Sequence, residues 1–223
     1  MARHYPLFLD LSRAKCLLVG AGAVGRRKID TLLEAGAGHI LALDPDPAAG
    51  QGLPAHPALV FEAREFVPED LHACALVFAA SASSAVNAAV AELCAGRGIF
   101  CNCVDAPEKG TCIVPASARC GELVLALSSG GSSPAYVRRL RNELEPWLRD
   151  KAPLASLLGR LRPRVLALGQ DTVQNTELFR LLACQELEQA LARGDKDLCL
   201  RLLGQMLPQS LHAHITELLD GLV

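Results

Sequence analysis

Three glycines at fixed spacing constrain the fold of this chain more than any other feature of its sequence. Gly20, Gly22 and Gly25 form a Gly-x-Gly-x-x-Gly motif between the apolar run that starts at Lys15 and a helical pattern. The first glycine permits a tight turn, the second lets the backbone approach a pyrophosphate, and the third allows close helix–strand packing. The helix N-terminus supplies free N–H groups for phosphates. We expect a dinucleotide-binding turn; the alternative is a tight turn without a ligand.

Short apolar segments alternate with helical patterns over the first hundred residues. This alternation predicts a doubly wound, Rossmann-like parallel α/β sheet. A helix is expected over residues 84–96, and the proline-rich stretch 45–57 is expected to be a loop. The predicted strands are Lys15–Gly20, His39–Asp44, Leu59–Phe61, Leu76–Ala79 and Ile99–Cys101.

The pattern changes after about residue 110. Two strands, Cys112–Val114 and Glu122–Leu127, are predicted without a helix between them, followed by a helix that Pro134 opens and Ser133 caps. From Pro153 onward the pattern is helical. We therefore expect a nucleotide domain over residues 1–110, a small α/β segment over 111–150 and a helical domain over 151–223.

Two carboxylates follow predicted strands at the ligand-binding edge of such a sheet. Asp44 ends the second strand, where it can accept hydrogen bonds from a ribose 2′-hydroxyl and thereby favour NAD over NADP. Asp105 closes the block Asn102-Cys-Val-Asp105 after the fifth strand, where it can act as a general base. The alternative for Asp105 is a turn residue before Pro107.

The segment Ser128–Ser133 combines glycines and serines ahead of a helix. Its N–H groups and hydroxyls can form an anion-binding nest, and the arginines that follow, among them Arg138, can meet a polycarboxylate. The alternative is a flexible connection to a solvated basic helix face.

Composition limits the partners and the compartment. A net charge of −2, with one tryptophan, two tyrosines and six phenylalanines, argues against a dedicated nucleic-acid binder. No apolar run reaches the roughly 18 residues that span a bilayer. The nine cysteines lack a paired disulfide framework and indicate a reducing cytoplasm. The pair Cys101 and Cys103 has poor metal-ligand spacing, so we expect buried thiols and no metal site.

The ordered motifs resemble one enzyme family. They read YPLFLDL, CLLVGAGAVGRRKIDTLLEAGA, NCVDAPEKGTCIVPA and GELVLALSSGGSSPAYVRRLRNELE, and together they span roughly residues 3–150. This series resembles precorrin-2 dehydrogenase, the N-terminal module of siroheme synthase, some members of which are also sirohydrochlorin ferrochelatases. The resemblance implies NAD-dependent oxidation of the tetrapyrrole precorrin-2 to sirohydrochlorin by a homodimer, with Asp105 catalytic. The family's methyltransferase region does not follow Val223, so we expect uroporphyrinogen methylation to belong to another polypeptide.

The expected site combines these observations with the resemblance. Asp105 is the expected catalytic residue, and Asn102 is expected to orient the cofactor or the substrate. The residues expected to bind NAD are Gly20, Gly22, Ala23, Val24, Gly25, Asp44, Pro45, Ala80, Ser81 and Asn102. Those expected to bind the substrate are Ser128, Gly130, Gly131, Ser132, Ser133 and Arg138.

Two further functions stay open at this point. One is additional insertion of Fe²⁺ or Co²⁺ into sirohydrochlorin, for which the sequence offers no His/Cys cluster to capture the ion. The other is a non-catalytic NAD-sensing module, which leaves the Asn102–Asp105 and Ser128–Pro134 blocks without a role.

Overall fold

Five β-strands form one parallel sheet in the first part of the chain. The computed structural model describes residues 4–223. The sheet order is β3-β2-β1-β4-β5, so the direction of winding reverses between β1 and β4. The strands are β1 Lys15–Val19, β2 His39–Leu43, β3 Leu59–Glu62, β4 Cys74–Ala79 and β5 Phe100–Cys103.

Two helices cover opposite faces of this sheet, α1 (Ala23–Glu34) and α2 (Ser84–Arg97). Because side chains alternate along a strand, Leu18 of β1 packs with Ile29 of α1, whereas Leu17 packs with Val90 of α2. Both faces are thus buried, as expected for a parallel sheet. The predicted doubly wound, Rossmann-like fold is confirmed.

The turn between β1 and α1 is held by backbone contacts that leave no room for a side chain at its first and third glycines. Gly20 has φ +100°, and a Cβ there would lie 2.5 Å from the Ala80 carbonyl oxygen and from the Ser81 nitrogen. A Cβ on Gly25 would lie 2.1 Å from the Gly20 carbonyl oxygen. Glycine is therefore required at both positions for β1, α1 and the segment after β4 to meet.

The chain after β5 differs from the prediction at two points. Asn102 and Cys103 belong to β5, where they pair with Phe78 and Ala79, so the strand does not end at Cys101. The predicted strand over 112–114 is wrong. The N–H groups of residues 111 and 112 both donate to the single carbonyl of Cys101, so the chain crosses the edge of β5 instead of running along it.

The second part of the chain begins with an antiparallel hairpin and continues in helices. Contacts divide the chain into two units, one that ends at Val114 and one over Pro115–Val223. The hairpin consists of β6 (Ala116–Cys120) and β7 (Leu123–Leu127). The helices are α3 Pro134–Leu166, α4 Thr172–Leu182, α5 Gln185–Ala192, α6 Lys196–Met206 and α7 Ile215–Leu219.

Helix α3 runs without interruption through Pro146, Pro153 and Pro163. The predicted boundary after residue 150 lies inside it, and residues 1–3 of the first predicted domain lie outside the described residues. Proline removes one intrahelical hydrogen bond at each site. Tertiary packing compensates, because Leu157 and Leu161 are fully buried in a core shared with α4–α7.

The glycine contacts generate a stability prediction. We expect Gly25→Ala to lower the free energy of unfolding of the first unit by about 1–3 kcal/mol, because the new Cβ would clash with the backbone carbonyl of Gly20. Gly22→Ala is the matched control, since a Cβ there has nothing within 4 Å. Hydrogen exchange of the β1 amides measures the effect on this unit alone. Equal protection in the two variants would contradict the packing argument.

Candidate functional site

The residues that follow three strands extend the sheet by one hydrogen bond each. The N–H of Gly20 donates to the carbonyl of Leu43 at 2.8 Å, and the N–H of Ala80 donates to the carbonyl of Val19 at 2.8 Å. After β5, the N–H of Val104 donates at 3.0 Å to the last carbonyl of β4. The segments after β1, β2, β4 and β5 therefore lie side by side at the carboxyl edge, where open α/β sheets bind ligands.

At this edge, the backbone of Gly20–Gly22 and the start of α1 border open space, and we call this part of the turn the glycine cradle. Gly22 is exposed, and a Cβ there would meet no atom within 4 Å. The first turn of α1 begins at Ala23 and carries neither a side-chain cap nor an acidic residue. Its leading N–H groups lack intrahelical partners, as at any helix start. This arrangement suits an anionic diphosphate, for which the N–H groups and the helix dipole are favourable.

Asp44 lies directly beside the cradle. Its Oδ2 accepts a hydrogen bond from the N–H of Ala21 at 2.8 Å, and its Oδ1 accepts one from the N–H of Asp46 at 3.0 Å. These bonds fix the carboxylate while each oxygen keeps a lone pair for a further donor. Arg26 of α1 donates to the carbonyl of Ala49 at 2.9 Å. This bond fastens the loop after Asp44 to α1, and Pro45, the first residue of that loop, is exposed.

Asp105 is an exposed carboxylate that three side-chain donors hold in place. Ser84 donates through its hydroxyl to Oδ2 at 2.5 Å, and Asn87 donates through Nδ2 to Oδ1 at 3.0 Å. The Cys103 thiol lies 3.4 Å from Oδ1. The Ser84 hydroxyl, followed by the Asn87 amide, holds the pKa of Asp105 below its ordinary value. Asp105 is therefore ionised at neutral pH, and its carboxylate is anchored to α2 rather than serving only to start a turn.

Ser84 and Asn87 are functional candidates that sequence reasoning missed. Both lie at the start of α2, whose other residues are mostly alanine and valine. Asn87 is 1% exposed and hydrogen-bonds to Ser81 as well as to Asp105. An asparagine on an otherwise apolar helix face was the available signal, because buried amides need partners.

Asn102 does not lie in the loop beside Asp105 but within β5. Its side chain is 9% exposed and donates through Nδ2 to the carbonyl of Cys112 at 3.2 Å. In the part of the chain that the structure describes, its Oδ1 accepts no hydrogen bond. The amide thus holds the segment after β5 and keeps one acceptor for a ligand.

The Ser128–Ser133 segment lies in the second unit, between β7 and α3. The Ser128 hydroxyl accepts from the N–H of Gly130 at 3.0 Å, and the Ser129 hydroxyl accepts from the N–H of Ser133 at 3.0 Å. The predicted cap is confirmed, since the Ser133 hydroxyl accepts from the N–H of Tyr136. Serine hydroxyls therefore hold this loop in one shape, and Gly131 and Ser132 are exposed.

Arg138 differs from the arginines around it on α3. Arg139 pairs with Glu143 and Arg141 pairs with Glu145, each one helical turn away. Within residues 4–223, Arg138 has no ion pair, and its side chain is exposed. It is therefore available to a carboxylate from outside the helix.

The described residues 4–223 contain no group of three or more His, Cys, Asp or Glu side chains able to hold a metal ion. In the same range, no helix has the length and apolar character needed to cross a lipid bilayer. Cys101 and Cys103 are buried, and all nine cysteines are free thiols. Burial raises the pKa of Cys112 to about 11, so this thiol stays protonated at neutral pH.

Comparison with known proteins gives a consistent set of relatives. Residues 7–116 match a family described as "Putative NAD(P)-binding". The chain is 39% identical to siroheme synthase 1 of Aeromonas salmonicida over 198 residues, which cover 86% of this chain and 42% of that protein. It is 36% identical to siroheme synthase 2 of Klebsiella pneumoniae over 211 residues, which cover 93% of this chain and 46% of that protein.

One solved structure, described as "SirC, precorrin-2 dehydrogenase", has the same fold. It matches with a TM-score of 0.66 and 22% identity, covering 91% of this chain and 98% of that one. The chain spans less than half the length of the curated relatives that it matches. Over that span, the chain is a homologue of the siroheme synthases that it matches.

Proposed function

We propose that this chain is an NAD-dependent dehydrogenase that oxidises precorrin-2 to sirohydrochlorin in siroheme synthesis. The observation that carries the proposal is the position of Asp105, an anchored and ionised carboxylate on the same sheet edge as the glycine cradle. The names of the siroheme synthase relatives support the pathway. The shared fold with a protein named as a precorrin-2 dehydrogenase supports the reaction.

The cofactor in this proposal is NAD rather than NADP. The glycine turn, with Gly20, Gly22 and the N-terminus of α1, holds the diphosphate. Asp44 accepts the ribose hydroxyls and repels a 2′-phosphate, because two anions at hydrogen-bond distance are unfavourable. Ala80, Ser81 and the free acceptor of Asn102 contact the cofactor further along the same edge. Bound NAD⁺ supplies the hydride acceptor for the oxidation.

Asp105 takes the proton that the macrocycle loses together with the hydride. Because its pKa is lowered, Asp105 is a weak base and keeps an accepted proton only briefly. The carboxylate stays anionic and so stabilises the positive charge that develops on the macrocycle as the hydride leaves. Because Asp105 is exposed, it can pass the accepted proton to water. Removal of one hydride and one proton balances the two-electron oxidation.

The substrate is recognised as a polycarboxylate. The Gly130 N–H holds the Ser128 hydroxyl, and the N–H of Gly131 and the hydroxyls of Ser128 and Ser133 provide donors for the substrate's carboxylates, with Ser132 in the same exposed loop. Exposed Arg138 supplies a positive charge that no neighbouring glutamate in residues 4–223 neutralises.

We further propose a homodimer in the cytoplasm that binds no nucleic acid. Exposed aromatic side chains support a protein partner: Tyr5 is 85% exposed, Phe8 74% and Trp147 52%. Free thiols support a reducing compartment. The net charge of −2 does not suit a polyanionic nucleic acid.

Asp105→Asn tests the chemical role. We expect the variant to bind NAD like the wild type and to lose about 10²-fold or more in turnover, because the amide cannot accept the proton. Anaerobic NADH formation from precorrin-2 measures this, with Glu108→Asn as a control at a nearby exposed carboxylate. Wild-type turnover by Asp105→Asn would remove Asp105 from the mechanism. Stoichiometric NAD binding without turnover by the wild type would favour an NAD-sensing module.

Asp44→Asn tests cofactor selection. We expect NAD affinity to fall about tenfold through loss of charge-assisted hydrogen bonds, and discrimination against NADP to fall with it. The matched control is Asp46→Asn, which removes a carboxylate two residues away whose side chain accepts from the N–H of Ala48. Binding titrations with NAD and NADP measure both effects. Unchanged discrimination in Asp44→Asn would show that another group selects the cofactor.

A further inference from the structure

Asn87 is a buried amide that the proposed reaction does not by itself require. It lies in the first turns of α2, and its side chain is 1% exposed. Burying an amide is costly unless it is fully hydrogen-bonded, and the capping of α2 does not need it, because the Ser83 hydroxyl accepts from the N–H of Val86.

All four hydrogen-bonding positions of the Asn87 amide are used. Its Oδ1 accepts from the N–H and from the hydroxyl of Ser81, each at 2.9 Å. Its Nδ2 donates to the carbonyl of Ser81 and to Oδ1 of Asp105, each at 3.0 Å. An asparagine amide has two acceptor and two donor positions, so its orientation is fixed. Rotation of the amide by half a turn would set donor against donor at Ser81.

The two partners of Asn87 belong to different parts of the site. Ser81 borders the glycine turn, because a Cβ on Gly20 would come within 2.5 Å of its backbone nitrogen. Asp105 follows the neighbouring strand, β5. One rigid amide therefore connects the segment that contacts the nucleotide turn with the reactive carboxylate.

Ser84 provides the contrasting case. Its hydroxyl donates to the other oxygen of Asp105 at 2.5 Å, but it has no hydrogen bond to Ser81. Among the described residues packed around Asp105, the Cys103 thiol is the titratable group in contact with it. Ser84 thus contacts only the carboxylate, whereas Asn87 contacts both the carboxylate and the Ser81 segment at the cofactor edge.

We propose that Asn87 is a positioning residue that sets the Asp105 carboxylate relative to the Ser81 segment of the cofactor site. This inference rests on the proposed function for its kinetic consequence, but the geometry it describes belongs to the protein without substrate.

The first test is the pKa of Asp105, measured by ¹³C NMR on the free protein. Removing a donor to the charged form destabilises that form, so Asn87→Ala and Ser84→Ala both raise the pKa of Asp105 towards its ordinary value. Glu92→Gln, on the exposed side of α2, leaves it unchanged. If Asn87→Ala does not fold, Asn87→Asp keeps the size of the side chain and raises the pKa of Asp105, because a carboxylate replaces the donor.

The second test separates positioning from a local charge effect. Asn87→Ala weakens NAD binding several-fold and lowers the kcat for precorrin-2 by about tenfold with little change in the KM for precorrin-2. Ser84→Ala leaves NAD binding unchanged. An unaltered pKa of Asp105 in Asn87→Ala, or equal NAD affinity in the Asn87→Ala and Ser84→Ala variants, would overturn the inference. Failure of the proposed function itself would appear differently, as wild-type protein that forms no NADH from precorrin-2.

Discussion

The contact between the third glycine of the motif and the carbonyl of the first is the constraint on which the site depends. It sets the start of α1 against the end of β1, while the first glycine admits the segment that follows β4. The backbone hydrogen bonds that continue past the strand ends then align four segments along one edge. The glycine cradle, Asp44 and Asp105 occupy this edge because of backbone packing.

Asp105 illustrates how a neighbouring helix tunes a carboxylate. Its donors come from α2 and β5, and the Ser84 hydroxyl does most to keep its pKa low. A carboxylate of this kind suits a reaction that needs a fixed negative charge and brief proton acceptance more than one that needs a long-lived acid. In the proposed reaction, the exposed position lets water complete the proton transfer.

Much of the first unit, which ends at Val114, is predictable from sequence, because short-range patterns determine its fold. The glycine spacing, the strand before it and Asp44 at the end of β2 are local signals that packing reinforces. Three features were not predictable locally. The N–H of Cys112 shares the Cys101 carbonyl with its neighbour, so the chain crosses the edge of β5. Helix α3 continues through Pro153 because its leucines are buried, and the Asn87 amide bonds to Asp105, 18 residues further along the chain.

A crystal structure of this chain with NAD⁺ would test the central claim most directly. We expect the diphosphate on the N-terminus of α1, the adenosine ribose on Asp44 and the nicotinamide ring beside the Ala80–Ser81 segment, with the Asp105 carboxylate facing it. A nicotinamide ring directed away from Asp105, or a diphosphate held elsewhere than on the glycine turn, would contradict it.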